Sequence, residues 1–292
     1  RARGPPAMIG WRQGEWVTLP DGAEVSALVP GPSLFATFAV RAGRIACLSD
    51  HLDRLALGCP RLGLDPTRLM LGADTSVARW TAPLGSLLGR NTLTEAIVRL
   101  LVAPRGDGLA TEWLTVRPLP PTPSVIDLYQ LTLRRDAPEW LPRPKSGPWQ
   151  NSSDAWRELR SVADRPDAEG VQLDARGCLS EGSRSSFSWW DGECWNFPSV
   201  ETGRLPGTAS AQLRSVLTQA GRPVRDVSWP GWATNAQSLL VLRSTFDGGA
   251  VLARSYHTEG RLSWQPVGPQ LEATRALALL AAWRAQRCIS FA

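Results

Sequence analysis

The sequence predicts an α+β protein in two parts. Three observations predict it. Short β-rich runs recur along the chain, several of them closed by a turn signal. A few stretches keep a helical apolar period. Residues 117–123, RPLPPTP, can continue neither a helix nor a central strand. They read as the linker between residues 8–118 and residues 124–292.

In the first part, residues 15–19 and 23–29 read as strands divided by an Asp21-Gly22 turn. Residues 35–40 and 44–48 form a second β-rich pair around Arg41-Ala42-Gly43, which predicts a hairpin. Ser49 then suits a helix N-cap, with Leu52 and Leu55 on one face and Gly58 near the stop. Residues 93–101 mix helix and strand signals, and 112–117 read as a strand. In the second part, Lys145 stands in a Pro-rich piece, residues 140–148, on a loop or strand end. Residues 152–162 look helical. Residues 171–173 and 178–181 read as strands about a turn. Residues 185–190 and 193–196 read as a hairpin across Asp191-Gly192, the best turn signal in the chain. After Pro206-Gly207 a helix runs to Gly221, with Leu213, Val216, Leu217 and Ala220 at helical spacing. Residues 238–242 suit a buried strand and 271–287 a closing helix.

Composition narrows the class. At 292 residues and 43% hydrophobic, the chain is no disordered segment. Its longest apolar run, 276–283, is too short to span a bilayer. No secretory pattern opens the sequence, and Met8 reads as a start, with the seven residues before it an upstream extension. Five cysteines, none in a CxxC pair, argue against a disulfide framework or a metal site and for a cytoplasmic protein with reduced thiols. A net charge of +5 on scattered arginines argues against a nucleic-acid partner. A hydrolase needs a histidine base, yet only His51 and His257 exist and no GxSxG elbow occurs. His51 reads as a capping or packing residue. Most of the fourteen tryptophans read as core, with Trp149 the one nearest Lys145.

One feature points to chemistry. Of 32 lysines and arginines, a single one, Lys145, is lysine. Arginine replaces lysine as a surface charge but not where a neutral amine must attack a carbonyl. Three further elements make sense around a phosphorylated aldehyde cofactor. Glu181, in LSEGSRSSFSWW, suits a partner for a pyridine nitrogen, though a lone Glu is more often a solvated turn carboxylate. Leu205-Pro206-Gly207-Thr208-Ala209 offers the free N–H groups of a helix start, as does many an ordinary Pro-Gly turn. Arg54, backed by Ser244 and Thr245 in LRSTFDGG, suits a phosphate, although Asp50 lies one helical turn before it as an ordinary ion-pair partner.

The order of these pieces resembles the class IV aminotransferase family, the fold-type IV group of pyridoxal phosphate enzymes. SDHLDRL follows a hairpin. An isolated lysine comes next, then LSEGSRSSF with a tryptophan-rich hairpin, LPG opening a helix, and ST after an apolar strand. The resemblance runs from about Met8 to the last helix. It implies a small N-terminal α+β domain, a larger C-terminal domain with a barrel-like sheet that carries the lysine, and a homodimer. It implies that Lys145 holds pyridoxal 5′-phosphate as a Schiff base and shuttles protons. Glu181 would then contact the pyridine nitrogen. Arg54, the backbone of Thr208 and Ala209, and Ser244 with Thr245 would bind the phosphate.

The chain departs from the family pattern in places. Ala36 follows Phe35 where an acidic residue is usual, and Ser186 stands near the usual Asn. Thr208-Ala209-Ser210 replaces Ile-Thr-Arg, and Ser-Gly-Pro-Trp-Gln follows Lys145. Within the family the likeness is to 4-amino-4-deoxychorismate lyases, which release pyruvate and leave 4-aminobenzoate for folate synthesis. It rests on the compact chain and on RLLVAPRGDG, residues 99–108, where Arg99 or Arg105 would face a carboxylate of a small amino substrate. An aminotransferase of branched-chain or D-amino acids is the alternative. A non-catalytic relative that binds the cofactor or a partner is the alternative outside enzymes.

Overall fold

The computed structural model describes residues 8–19, 29, 31–71, 74–105, 109–135, 142–147 and 150–290. The Asp21-Gly22 turn, the expected strand at 23–29 except Val29, and Trp149 lie outside them. In chain order the first elements are β1 (Ile9–Arg12), β2 (Glu15–Thr18), β3 (Ser33–Val40), β4 (Arg44–Ala46), α1 (Leu48–Gly58), α2 (Asp74–Arg90), β5 (Ala96–Pro104) and β6 (Ala110–Pro118). There follow β7 (Val125–Gln130), β8 (Ser146–Gly147), α3 (Gln150–Val162), β9 (Ala168–Leu173), β10 (Leu179–Gly182), β11 (Ser186–Trp190), β12 (Trp195–Pro198) and α4 (Thr208–Gln219). The last are β13 (Val224–Val227), α5 (Trp232–Asn235), β14 (Ser238–Leu242), β15 (Ala250–Thr258), β16 (Arg261–Trp264), α6 (Leu271–Ala285) and β17 (Cys288–Ser290).

Two compact units divide the chain. One takes Arg1–Pro120 with Pro144–Pro148 and Arg287–Ala292, the other Pro121–Arg143 with Trp149–Gln286. Lys145 therefore belongs to the first unit, although chain order alone assigns it to the larger C-terminal part. Its segment extends the first unit's sheet, through β8 on β3.

The first unit is a six-stranded antiparallel sheet in the order β2-β1-β6-β5-β3-β8. Leu52 and Leu55 of α1 and Trp80, Leu84 and Leu87 of α2 close a core with Phe38, Val98 and Leu100 of the sheet. Helix α2 escapes the periodicity argument because Pro83 stands inside it. The expected hairpin at Arg41-Ala42-Gly43 turns as predicted: Ala42 and Gly43 take φ values of 46° and 67°, and Arg41 and Arg44 exchange backbone bonds of 2.9 Å. The strands then part, and β4 pairs with β17. Helix α1 starts at Leu48 on Cys47, which takes a left-handed φ of 54° and caps with no side chain, so Ser49 is not the cap. His51 is fully buried and packs against Phe38 at 5.4 Å between ring centroids, the packing role expected of it.

The second unit holds a nine-stranded mixed sheet, curled as a half-barrel, in the order β10-β9-β7-β15-β14-β11-β12-β13 with β16 on β15. Strand β14 is buried along its length, as its apolar run predicts. Trp189, Trp195 and Trp232 fill the core and fit the core role expected of most tryptophans. Among the described residues no helix is long and apolar enough to cross a membrane.

Candidate active site

In the first unit the site residues gather around β3. The Lys145 carbonyl accepts the Phe35 N–H at 3.0 Å, which fixes the lysine backbone to the sheet. The Lys145 Nζ lies 4.6 Å from the centroid of the Phe35 ring. The Arg99 guanidinium, on β5, lies 5.0 Å from the same centroid. One aromatic ring thus gathers an amine and a guanidinium, an arrangement that the ring quadrupole favours. Arg105 lies one residue beyond the end of β5 and is exposed.

Arg54 sits on α1, one turn before Gly58. A Cβ at Gly58 would lie 2.9 Å from Leu34 and 3.4 Å from Pro144, so the bare glycine lets the helix end close onto β3 and the lysine segment. Arg54 makes no ion pair with Asp50 or any other described residue, and its buried Nε has no hydrogen-bond partner. Burial pulls its pKa down to about 10. A half-buried guanidinium whose buried Nε no described residue matches suits an anion.

In the second unit Glu181 stands next to last in β10, buried at 4% exposure. The solvated-carboxylate reading is thereby excluded. Its Oε2 accepts the Leu205 N–H at 2.9 Å, and its Oε1 meets Arg135 and, at 3.5 Å, Arg143. Burial and the neighbouring Arg135 draw the Arg143 pKa below its ordinary value, against the pull of Glu181. A carboxylate offers about four acceptor positions, so capacity remains for one more donor.

The EGS run owes its shape to Glu169 of β9, which is fully buried. Glu169 accepts Ser183 N–H at 3.0 Å, Ser183 Oγ at 2.5 Å and Ser185 Oγ at 2.8 Å, and it pairs with Arg243. Burial would raise its pKa, but Arg243 and Arg184, together with the Ser183 and Ser185 hydrogen bonds, leave it lowered. A Cβ on Gly182 would stand 2.3 Å from Ser185 Oγ and 3.1 Å from Glu169 Cδ, so only glycine fits between them.

Helix α4 begins on Gly207, which caps it without a side chain, and Thr208, Ala209 and Ser210 at its start are buried. Buried first-turn N–H groups without a side-chain cap form a ready anion site. A Cβ on Gly207 would lie 2.5 Å from Ser186 Oγ, and Ser186 pairs with Leu242 at the end of β14. Ser186 therefore brings the helix start and the Ser244–Thr245 turn to one end of the sheet. That turn closes through a Phe246 N–H bond to the Arg243 carbonyl at 3.0 Å.

Each unit thus assembles its own share of the predicted set: Lys145 and Arg54 in the first, Glu181, Thr208, Ala209, Ser244 and Thr245 in the second. Sequence reasoning missed Arg135, Arg143, Glu169 and Arg243. No local signal marks them, because what distinguishes them is an ion pair with a group from a distant part of the chain.

Comparison with known proteins bears on this arrangement. The family model described as amino-transferase class IV matches residues 33–245. A stretch of 77 residues is 38% identical to the aminodeoxychorismate lyase of Bacillus subtilis; it covers 26% of this chain and 25% of that protein. The fold is similar to that of the branched-chain amino acid aminotransferase of Escherichia coli, with a TM-score of 0.71 at 19% identity over 92% of each chain. It is also similar to the branched-chain aminotransferase of Thermoproteus uzoniensis, solved with norvaline, with a TM-score of 0.74 at 18% identity over 98% of this chain and 100% of that one. A hypothetical aminotransferase from Mycobacterium tuberculosis in its PLP-bound form gives 0.69 at 20% identity, over 95% and 99%. Likeness at these identities speaks to fold.

Proposed function

This chain belongs to the class IV aminotransferase family of pyridoxal phosphate enzymes, and on that premise we propose that it is a lyase converting 4-amino-4-deoxychorismate to 4-aminobenzoate and pyruvate, with Lys145 carrying the cofactor. The observation that supports it most is the Phe35 ring, which gathers the chain's single lysine and Arg99. A lysine that would hold the cofactor aldehyde and a guanidinium that binds carboxylates, side by side, suit a substrate that carries an amine and a carboxylate. The stretch of identity with an aminodeoxychorismate lyase favours this substrate within the family.

The residues present fit the cofactor. Arg54, with its unpartnered Nε, and the uncapped start of α4 suit a phosphate, together with Ser244 and Thr245. Glu181 has acceptor capacity for a pyridine nitrogen. When bound, pyridoxal phosphate supplies an aldehyde that captures an amine and a ring that withdraws electrons from it. Lys145 removes the proton from the carbon bearing the substrate amine. The bond between the substrate ring and the enolpyruvyl oxygen breaks, the ring becomes aromatic, and the enol takes up a proton at its methylene carbon as pyruvate. No oxidant is consumed. Arg99 orients the substrate through a carboxylate. A homodimer in the cytoplasm is the setting proposed for this activity.

The test begins with the near-visible absorption of the purified protein before and after borohydride, with Lys145→Arg alongside. We expect a band that borohydride removes and that the variant lacks, and 4-aminobenzoate formed from aminodeoxychorismate by the wild type alone. A protein that stays colourless with added pyridoxal phosphate would overturn the assignment of Lys145. Turnover of a branched-chain or D-amino acid with a keto acid, and no 4-aminobenzoate, would replace the lyase by an aminotransferase.

A further inference from the structure

The closing helix ends on a charge that this chemistry does not use. Arg284, in the last turn of α6, is 6% exposed. Its Nη1 donates to Gln212 Oε1 at 2.5 Å, and its Nη2 donates to the Ser244 carbonyl at 3.1 Å. Gln212 lies on α4, four residues after Thr208, and is itself buried. Ser244 opens the turn after β14. One guanidinium therefore spans the two backbone segments proposed above to face the phosphate.

The fold makes room for this contact. Gly249 adopts φ +90°, and a Cβ there would lie 3.0 Å from Arg284 Cδ and 3.1 Å from its Nε and Nη1. The same glycine closes the turn from both sides. Its N–H donates to the Phe246 carbonyl at 3.1 Å, and its carbonyl accepts the Arg243 N–H at 2.9 Å.

We propose that Arg284 is a positioning residue for the phosphate end of the cofactor, acting on Ser244–Thr245 and on α4 without touching the phosphate. This rests on the reading that those two segments bind phosphate. In a trans peptide the C=O and N–H point in opposite directions. Holding the Ser244 carbonyl toward Arg284 therefore turns the Thr245 N–H the other way. The bond to Gln212 fixes the first turns of α4 against the same guanidinium, whose planar fork allows little play between its two partners.

The test is a binding comparison on the full chain freed of cofactor. Pyridoxal phosphate and pyridoxal, the same aldehyde without phosphate, are titrated against tryptophan fluorescence. Loss of a charge-assisted pair predicts a Kd for pyridoxal phosphate raised about ten- to a hundred-fold in Arg284→Met, with pyridoxal changed by less than about two-fold. Gln212→Leu, which keeps the arginine, should lose part of the same preference. Arg284→Lys should retain more of it than Arg284→Met. If Arg284→Met does not fold, the Gln212→Leu ratio decides. Equal weakening of both aldehydes, or no change in the preference for the phosphorylated one, would overturn the positioning role. A wild type that binds both aldehydes equally well would instead remove the phosphate reading, and this proposal with it.

Discussion

Arg99 and Lys145 meet on one phenylalanine ring, yet their roles separate. Arg99 is proposed to hold the substrate and not the cofactor. Arg99→Leu should therefore keep the near-visible band while raising KM for a carboxylate substrate about ten- to a hundred-fold, the cost of a lost charge-assisted bond. Steady-state kinetics beside the absorption spectrum checks this. A lost band, or an unchanged KM, counts against it. At this scale the sequence is uneven. Lys145 is legible because it is singular, and Arg54 and Glu181 because short motifs frame them. Arg135, Arg143, Arg243 and Arg284 are not, since nothing nearby in the chain sets them apart from the other arginines. Their partners single them out, buried polar groups from distant parts of the chain, and such partners are set by what packs around a residue.

Turns and strands were legible where their signals are local. The Asp191-Gly192 hairpin forms, with Gly192 at φ 103°, and Pro206-Gly207 opens a helix. Pairing over distance was not legible: β4 leaves its hairpin neighbour for β17, and β7 lies parallel to β15 from far along the chain. Asp127 helps to tie that parallel pair. Its carboxylate accepts Ser255 Oγ at 2.6 Å and Arg254 Nε at 2.9 Å, and it also pairs with Arg165. The Arg254 bond leads in drawing its pKa down to about 2, against burial and with help from Ser255 and Arg165. Because the folded value lies below the unfolded one of about 3.9, the stabilisation is complete above that pH and fades as pH falls toward about 2. Asp127→Asn should lower the thermal midpoint at pH 7 by roughly 3 °C. The gap from wild type should close between about pH 4 and pH 2, and a gap of equal size at both ends would refute the linkage.

The two units of the molecule are not consecutive in the chain. The chain leaves its second unit twice, at Pro144–Pro148 and again from Arg287, to complete the first. A chain ending at Gln286 should thus damage the first unit. It removes β17, the partner of β4, and the Arg287 carbonyl that accepts the Cys47 N–H at 2.9 Å ahead of α1. We expect a thermal midpoint lower by about 5 °C by differential scanning fluorimetry, and an unmoved midpoint would show that this strand contributes no stability. By itself the sequence singled out the residue proposed for the covalent chemistry, the motifs of the family, and those turns, helices and strands whose cause lies within a few neighbouring residues. Only the tertiary structure decided which strand pairs with which, that Lys145 lies on the first unit's sheet, and which arginines serve carboxylates. Those outcomes depend on contacts between residues far apart in the chain, where hydrogen-bond partners and exclusion of water are set by packing that no local pattern encodes.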